Sequence, residues 1–366
     1  MNAAVLVGAC VCSVVQCALL AIVVELSLRA VPRLDAATRH RVWLVVLAVA
    51  IVLPLIDVAV RANSSAQTAQ TPRALAAFVV AEPLAFAALV LWGILALAFL
   101  LRLGASLARL VALCRRSGPV PDDVARRVAA RARELGVRAC VSVRASDEIT
   151  TPICLGFCRG TILIPRRLLA TLSAEDIDFV CVHELAHLRR LDGISNLFAK
   201  ITRSVLIWNP VLTFVERRIA FERELACDDA VIAVCGRAHR YARCLAAVML
   251  SSGAPAAAIP FARSAPQGLR RIELLLRGGP RALVPPRFAL AGIAAAITLA
   301  LSLAASAPQI VTLDVPAQRD AAVAPQPAAD AAPIRADVVP AAFQMMPATE
   351  PSAAPFAAAR FFALKT

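Results

Sequence analysis

Residues 84–101 read LAFAALVLWGILALAFLL, an eighteen-residue run without one charged side chain. As a helix rising about 1.5 Å per residue it nearly matches the hydrocarbon thickness of a bilayer. Such a run belongs in lipid or in the centre of a large soluble core, and composition separates the two. The 366-residue chain is 60% hydrophobic and 17% charged, with mean hydropathy +0.72. A soluble protein of that size needs a more polar surface, so much of this chain is expected to face lipid.

Three further runs have the length and character of spans: residues 3–24, residues 42–60 (interrupted by Pro54 and Asp57), and a fourth from about 288 to 306. Together with 84–101 they predict about four transmembrane helices. Arg29, Arg33, Arg39 and Arg41 follow the first run, only Arg61 and Arg73 follow the second, and arginines crowd the stretch after the third. The positive-inside bias then leaves both termini outside the inner (plasma) membrane and residues 102–287 in the cytosol. Only Met1 and Asn2 precede the first run, so it is expected to be a retained helix and not a cleaved signal. The expected organisation is a membrane domain over 1–101, a cytosolic domain over 102–287, a fourth span over 288–306 and an extracytoplasmic tail over 307–366. That tail is rich in Ala and Pro and lacks the bulky apolar residues needed to fold alone.

The net charge of +14 suits basic cytosolic faces beside anionic lipid. No direct nucleic-acid partner is expected, because the arginines are dispersed and aromatics make up only 5%. The eleven cysteines sit in the first span or between Cys114 and Cys244, the reverse of an extracellular disulfide framework. Cys154 and Cys158 have no second pair, so buried thiols are expected there and not a metal knuckle.

Within 102–287, Pro121 to Leu135 predicts an amphipathic helix stopped by Gly136. Residues 139–146, 151–157 and 160–165 predict strands around a glycine-containing turn. Ser173 and Asp176 form a capping signature that opens the next helix, which should run to about Arg190 and stop before Gly193. Further helices are expected from Ile194 to the Asn209–Pro210 pair and from Val211 to Cys235.

The first of these helices carries VCVHELAHLRRLD, residues 180–192, holding two of the chain's four histidines. Positions i and i+4 share a helix face, so His183 and His187 can place imidazole nitrogens on one ion. Glu184 stands beside them, where a general base for a metal-assisted hydrolysis belongs. The flanking apolar residues bury the helix, and polar groups buried there need a partner that a metal ion supplies. A catalytic zinc takes three protein ligands, and no third histidine lies at a suitable spacing. Residues 221–234, FERELACDDAVIAV, offer Glu224 and Asp228 on one face, one as ligand and the other as acceptor for a histidine N–H. Glu222, Glu216 and Asp229 compete, and helical period alone does not exclude Glu222. Tyr241 and His239 are candidate oxyanion donors, although surface preference expects solvated turn positions for both. Asp192 is placed to hold the helix end or a histidine.

HELAHLRRLD, preceded by TPICLGFCRGTILIP and followed by IWNP and ERELACDDAVI, resembles the membrane metallopeptidases of the BlaR/MecR antirepressor type. The resemblance covers roughly residues 75–280 and the multi-span layout. It implies a mainly α integral membrane protein with a cytosolic α+β, gluzincin-like zinc protease domain and a small β-sheet. It also implies one catalytic zinc held by His183, His187 and Glu224, with Asp228 behind them, and so decides against Glu222. An edge strand, for which GTILIP is the natural candidate, would hold the substrate as an added strand. By analogy the substrate is a protein, a cytosolic repressor or another membrane-proximal chain. Where the family's antibiotic receptors carry a penicillin-binding sensor, this chain has 60 Ala/Pro-rich residues without an S-x-x-K motif, so antibiotic sensing is not inferred. The competing expectation is a non-catalytic signalling scaffold with a structural metal site.

Overall fold

The computed structural model describes residues 3–31, 34–64, 76–78, 82–156, 159–251, 259–277 and 311–313, with two isolated positions at 294 and 298. The elements run α1 Ala3–Ala30, α2 Ala36–Ser64, β1 Ala76–Phe78, α3 Glu82–Arg116, β2 Gly118–Pro119, α4 Asp122–Glu134 and β3 Cys140–Ser146. They continue with β4 Ile153–Leu155, β5 Arg159–Pro165, α5 Arg166–Thr171, α6 Ala174–Arg189 and α7 Asp192–Val205. The last are α8 Val211–Cys235, α9 Ala238–Ser251, α10 Ile259–Leu276 and β6 Val311–Leu313. The chain is mainly helical with a small mixed sheet.

Among the described residues three helices are long and apolar enough to cross a membrane: Leu6–Ala30, Ala36–Ala59 and Glu82–Arg116. The fourth expected span, 288–306, lies outside the described residues but for its two isolated positions, and so does the tail apart from β6. All three helices outrun their apolar cores. Arg29, Arg39 and Arg41, expected in a loop, are helical, because arginine is a good helix former and the apolar-to-basic change leaves the helical hydrogen bonds intact. The expected boundary at 101/102 likewise falls inside α3. Pro54 does not interrupt α2. Beside it, Asp57 accepts a hydrogen bond from Gln16 of α1 at 3.2 Å, tying the two spans together.

Two apolar clusters organise the molecule. In one, Leu20, Val24 and Leu28 of α1 and Trp43, Val46 and Leu47 of α2 pack with Leu212, Val215 and Ile219 of α8. The first two spans are thereby joined to the helix that carries the candidate third ligand. In the other, Val124 and Val128 of α4 and Ile162 and Ile164 of β5 close over Phe179, Val182 and Leu185 of α6. The cap of α6 is the expected one, with Ser173 Oγ accepting from the Asp176 N–H at 3.2 Å. Gly136 takes the left-handed conformation (φ 66°) that ends α4.

The sheet order is β2-β3-β5-β4, with β3 and β5 parallel and both flanking pairs antiparallel. This corrects one expectation. GTILIP (β5) is an inner strand, paired on both sides, and the edge next to α6 is β4. The alternating pattern that identifies a strand carries no information about which neighbours it acquires. A second correction concerns the α6–α7 turn. Helix α6 ends as expected, with Arg190 as its C-cap, but α7 starts at Asp192, ahead of the expected Ile194, so Gly193 lies inside it and the reversal is made by Leu191, a non-glycine residue at φ 56°.

Candidate metal centre

Helix α6 presents His183 and His187 one turn apart, their rings edge to face with centroids 4.9 Å apart. Helix α8 packs across α6 and aims Glu224 at both. One carboxylate oxygen lies 3.5 Å from His183 Nε2, and the other lies 3.7 Å from His187 Nε2. Donors held about 2.1 Å from a tetrahedral zinc ion stand about 3.4 Å apart, so two imidazoles and a carboxylate at these separations fit such an ion. The three side chains form a group whose donor atoms all lie within 4.8 Å of one another.

The other ring nitrogens are held from behind. His187 Nδ1 meets Asp192 Oδ2 at 2.8 Å, and Asp192 is the first residue of α7, delivered there by the tight turn at Leu191. Asp192 also lies 3.3 Å from Arg190 and 4.0 Å from His40 of α2, so a membrane helix reaches the support of the site. His183 Nδ1 lies 3.0 Å from the Tyr241 hydroxyl, which donates to Asp228 Oδ1 at 2.6 Å. Both imidazoles therefore turn Nε2 toward Glu224, with acceptors waiting at Nδ1.

Arg271 of α10 completes the arrangement. Its guanidinium donates to both Asp228 oxygens at 2.7 and 2.8 Å and to Glu224 Oε2 at 3.1 Å. The charges reshape the titration of the cluster. Burial by itself would lower the pKa of His183, but hydrogen bonds to Asp228 and Glu224 outweigh it and raise it to about 9. Burial opposes ionisation of Asp228, yet Arg271 and His183 hold its carboxyl down at about 2. Glu224 is likewise pulled well below the ordinary carboxylate range against its burial, first by His183. An acid–imidazole cluster sharing protons in this way is the kind in which a divalent cation replaces them.

Glu184, 8% exposed, borders a cavity of about 500 Å³ together with His183, Glu224, Phe221 and Arg271. Thr150, Thr151 and Pro152, leading into β4, form another part of the wall. Burial, followed by the charge of nearby Glu184, pushes the Cys154 thiol up, so it stays protonated; Cys158 lies outside the described residues.

The competing carboxylates are elsewhere. Glu222, 1% exposed, pairs with Arg39 of α2 at 3.1 Å. Glu216 pairs with Arg203 at 3.4 Å and with Lys200, and Asp229 is exposed beside a separate cavity. Tyr241 is not on a solvated turn; it is 3% exposed, and its hydroxyl serves His183 and Asp228. His239 is exposed. Sequence reasoning missed Arg271. Its only local signal is that a carboxylate as deeply buried as Asp228 requires a cation, which does not say from where.

A family model for BlaR1 peptidase M56 matches residues 9–275. The regulatory protein BlaR1 of Bacillus licheniformis is 32% identical over 87 residues, 24% of this chain and 14% of that protein. The methicillin resistance mecR1 protein of Staphylococcus aureus is 24% identical over 103 residues, 28% of this chain and 17% of that protein. The aligned segments thus span less than a fifth of these relatives. The family match covers both the membrane helices and the His183–Glu224 cluster, and on it the chain belongs to the BlaR1 peptidase M56 family.

Proposed function

We propose that this protein is a membrane-embedded zinc endopeptidase that acts in regulatory signalling. On this reading it has about four spans, and a gluzincin-like domain over 102–287 faces the cytosol. The observation that carries the reading is the placement of Glu184 on the same cavity as His183 and Glu224. Three protein donors that converge beside a cavity lined by two of them, His183 and Glu224, with a buried carboxylate next to them, suit catalysis better than a closed structural site. Salt bridges from α8 to the first two spans, Arg218 to Glu25 and Glu222 to Arg39, support a topology with the loop between those spans on the side of the domain. The parallel pairing of β1 with β6 joins the next loop to the tail, in keeping with both lying on the opposite side.

His183 Nε2, His187 Nε2 and the Glu224 carboxylate would hold the ion. When bound, zinc supplies a Lewis acid for the scissile carbonyl and makes a water easier to deprotonate. Glu184 takes the proton from the attacking water and delivers it to the departing amine nitrogen. Asp192 at His187, and Tyr241 with Asp228 at His183, keep the Nδ1 protons in place so that each Nε2 lone pair points inward. Arg271 offsets the charge of Asp228 and Glu224. The β4 edge offers unpaired backbone groups to an extended substrate chain beside the cavity. The proposed substrate is a cytosolic repressor or a membrane-proximal protein.

The test maps new protein amino termini in cells expressing the wild type or Glu184→Gln, with zinc content measured in both. Removal of a general base is expected to cost about 10²- to 10⁴-fold in turnover. Termini found only with the wild type, at equal zinc loading, support the enzyme. Cleavage that persists in Glu184→Gln rejects it, and a zinc-loaded protein that yields no termini under any envelope stress favours the scaffold.

A further inference from the structure

A second cavity, of about 590 Å³, opens between α3 and α7, away from the metal centre. Arg102 and Arg109 of α3, seven residues apart and so on one helix face, line one wall, and Lys200 and Arg203 of α7 line the other. Lys200 and Arg203 share the Glu216 carboxylate. Arg102 and Arg109 have no acidic partner among the described residues. The lining therefore sets four cations against one nearby anion, and a cleft of one charge sign concentrates counter-ions.

The position of the cleft is as informative as its charge. It begins at Phe99, in the last turn of the apolar run, and Arg102 is the first charge beyond that run. Helix α7 descends beside the same span, for Trp92 of α3 donates its indole N–H to the Val205 carbonyl at 2.7 Å and meets Trp208 edge-on at 5.1 Å. On α3, Leu95 and Phe99, on the same helix face as Arg102 and within the apolar run, are exposed. A basic head space thus opens at the edge of the hydrocarbon layer, next to an exposed apolar stretch of α3.

We propose that the α3–α7 cleft binds the phosphate headgroup of an anionic membrane lipid, whose acyl chains lie along the apolar stretch of α3 that precedes Arg102. The arginines match phosphate oxygens in geometry as well as charge. A soluble phosphate would satisfy the charges but make no use of the exposed apolar stretch of α3 beside them. The site is independent of whether the metal centre cleaves peptides.

The full-length protein, in neutral detergent, is titrated with short-chain phosphatidylglycerol, with phosphatidylcholine of equal chain length and with glycerol 1-phosphate. Binding is read from tryptophan fluorescence and from the melting temperature. Neutralising two interfacial cations in Arg102→Gln/Arg109→Gln is expected to weaken phosphatidylglycerol binding about thirtyfold. Arg102→Lys/Arg109→Lys should keep most of the affinity, and Arg126→Gln/Arg133→Gln, on exposed positions of α4, should keep all of it. If the double glutamine variant aggregates, Arg109→Gln alone carries the comparison, with roughly a fivefold loss expected on the same per-charge basis. Equal affinity of wild type and glutamine variant, or equal binding of the two lipids, overturns the proposal. So does saturation by glycerol 1-phosphate at the lipid's concentration, which would assign a soluble phosphate instead.

Discussion

Asp192 and Asp228 stand behind the two imidazoles and are almost completely buried, 4% and 2% exposed. Each fixes the ring that faces the cavity without touching it. Asp192→Asn and Asp228→Asn keep the shape and remove the charge, and each should weaken zinc binding about 10- to 100-fold in competition with a chromophoric chelator. Arg271 is a different case. Its side chain is 13% exposed against 3% for Asp228, so the pair is buried and its disruption strands a carboxylate. Arg271→Met should cost about 3–5 kcal/mol, read as a lowered melting temperature. Arg271→Lys should restore little, because one ammonium cannot reach both Asp228 oxygens and Glu224 in the geometry of a guanidinium. Combining Arg271→Met with Asp228→Asn should recover part of the loss, since the stranded charge is then gone.

Among the elements, α6 is held to the sheet by a close approach at Gly160 of β5. A Cβ built there would lie 2.7 Å from Leu188 Cδ1, the flexible end of the side chain one residue beyond His187. Gly160→Val should therefore destabilise by about 1–3 kcal/mol through overpacking. Leu188→Ala in the same molecule should relieve it, and a double-mutant cycle on melting should show a coupling of about 1 kcal/mol or more. The elements themselves were largely legible. The ends of α4 and α8, the cap of α6 and the strand at 140–146 all follow from signals a few residues long. The order of the strands did not follow, and neither did the reversal at Leu191, which contradicts the usual preference for glycine at positive φ and serves to bring Asp192 back onto His187.

For the whole molecule, the proposed orientation places Cys140, exposed on β3, in the cytosol. A membrane-impermeant maleimide should label it in permeabilised cells and not in intact ones, with Cys140→Ser as the control; labelling of Cys140 in intact cells would reverse the topology. The chain's apolar runs determined that it enters a membrane, and the spacing of His183 and His187 determined that α6 can offer two nitrogens to one ion. Both are local properties, set by rise per residue and by helical period, and they survive whatever the rest of the chain does. That Glu224, and not Glu222, Glu216 or Asp229, meets the two histidines was decided by packing. Helix α8 lies between α6 on one side and the membrane helices on the other, so carboxylates a few residues apart face the two histidines of α6, an arginine of α2 or solvent. Arg271 and Tyr241 reached the cluster in the same way, across 43 and 13 residues from Asp228. Such partners are recruited by burial, which makes an unpaired charge costly wherever it lies, and burial exists only once the helices have packed.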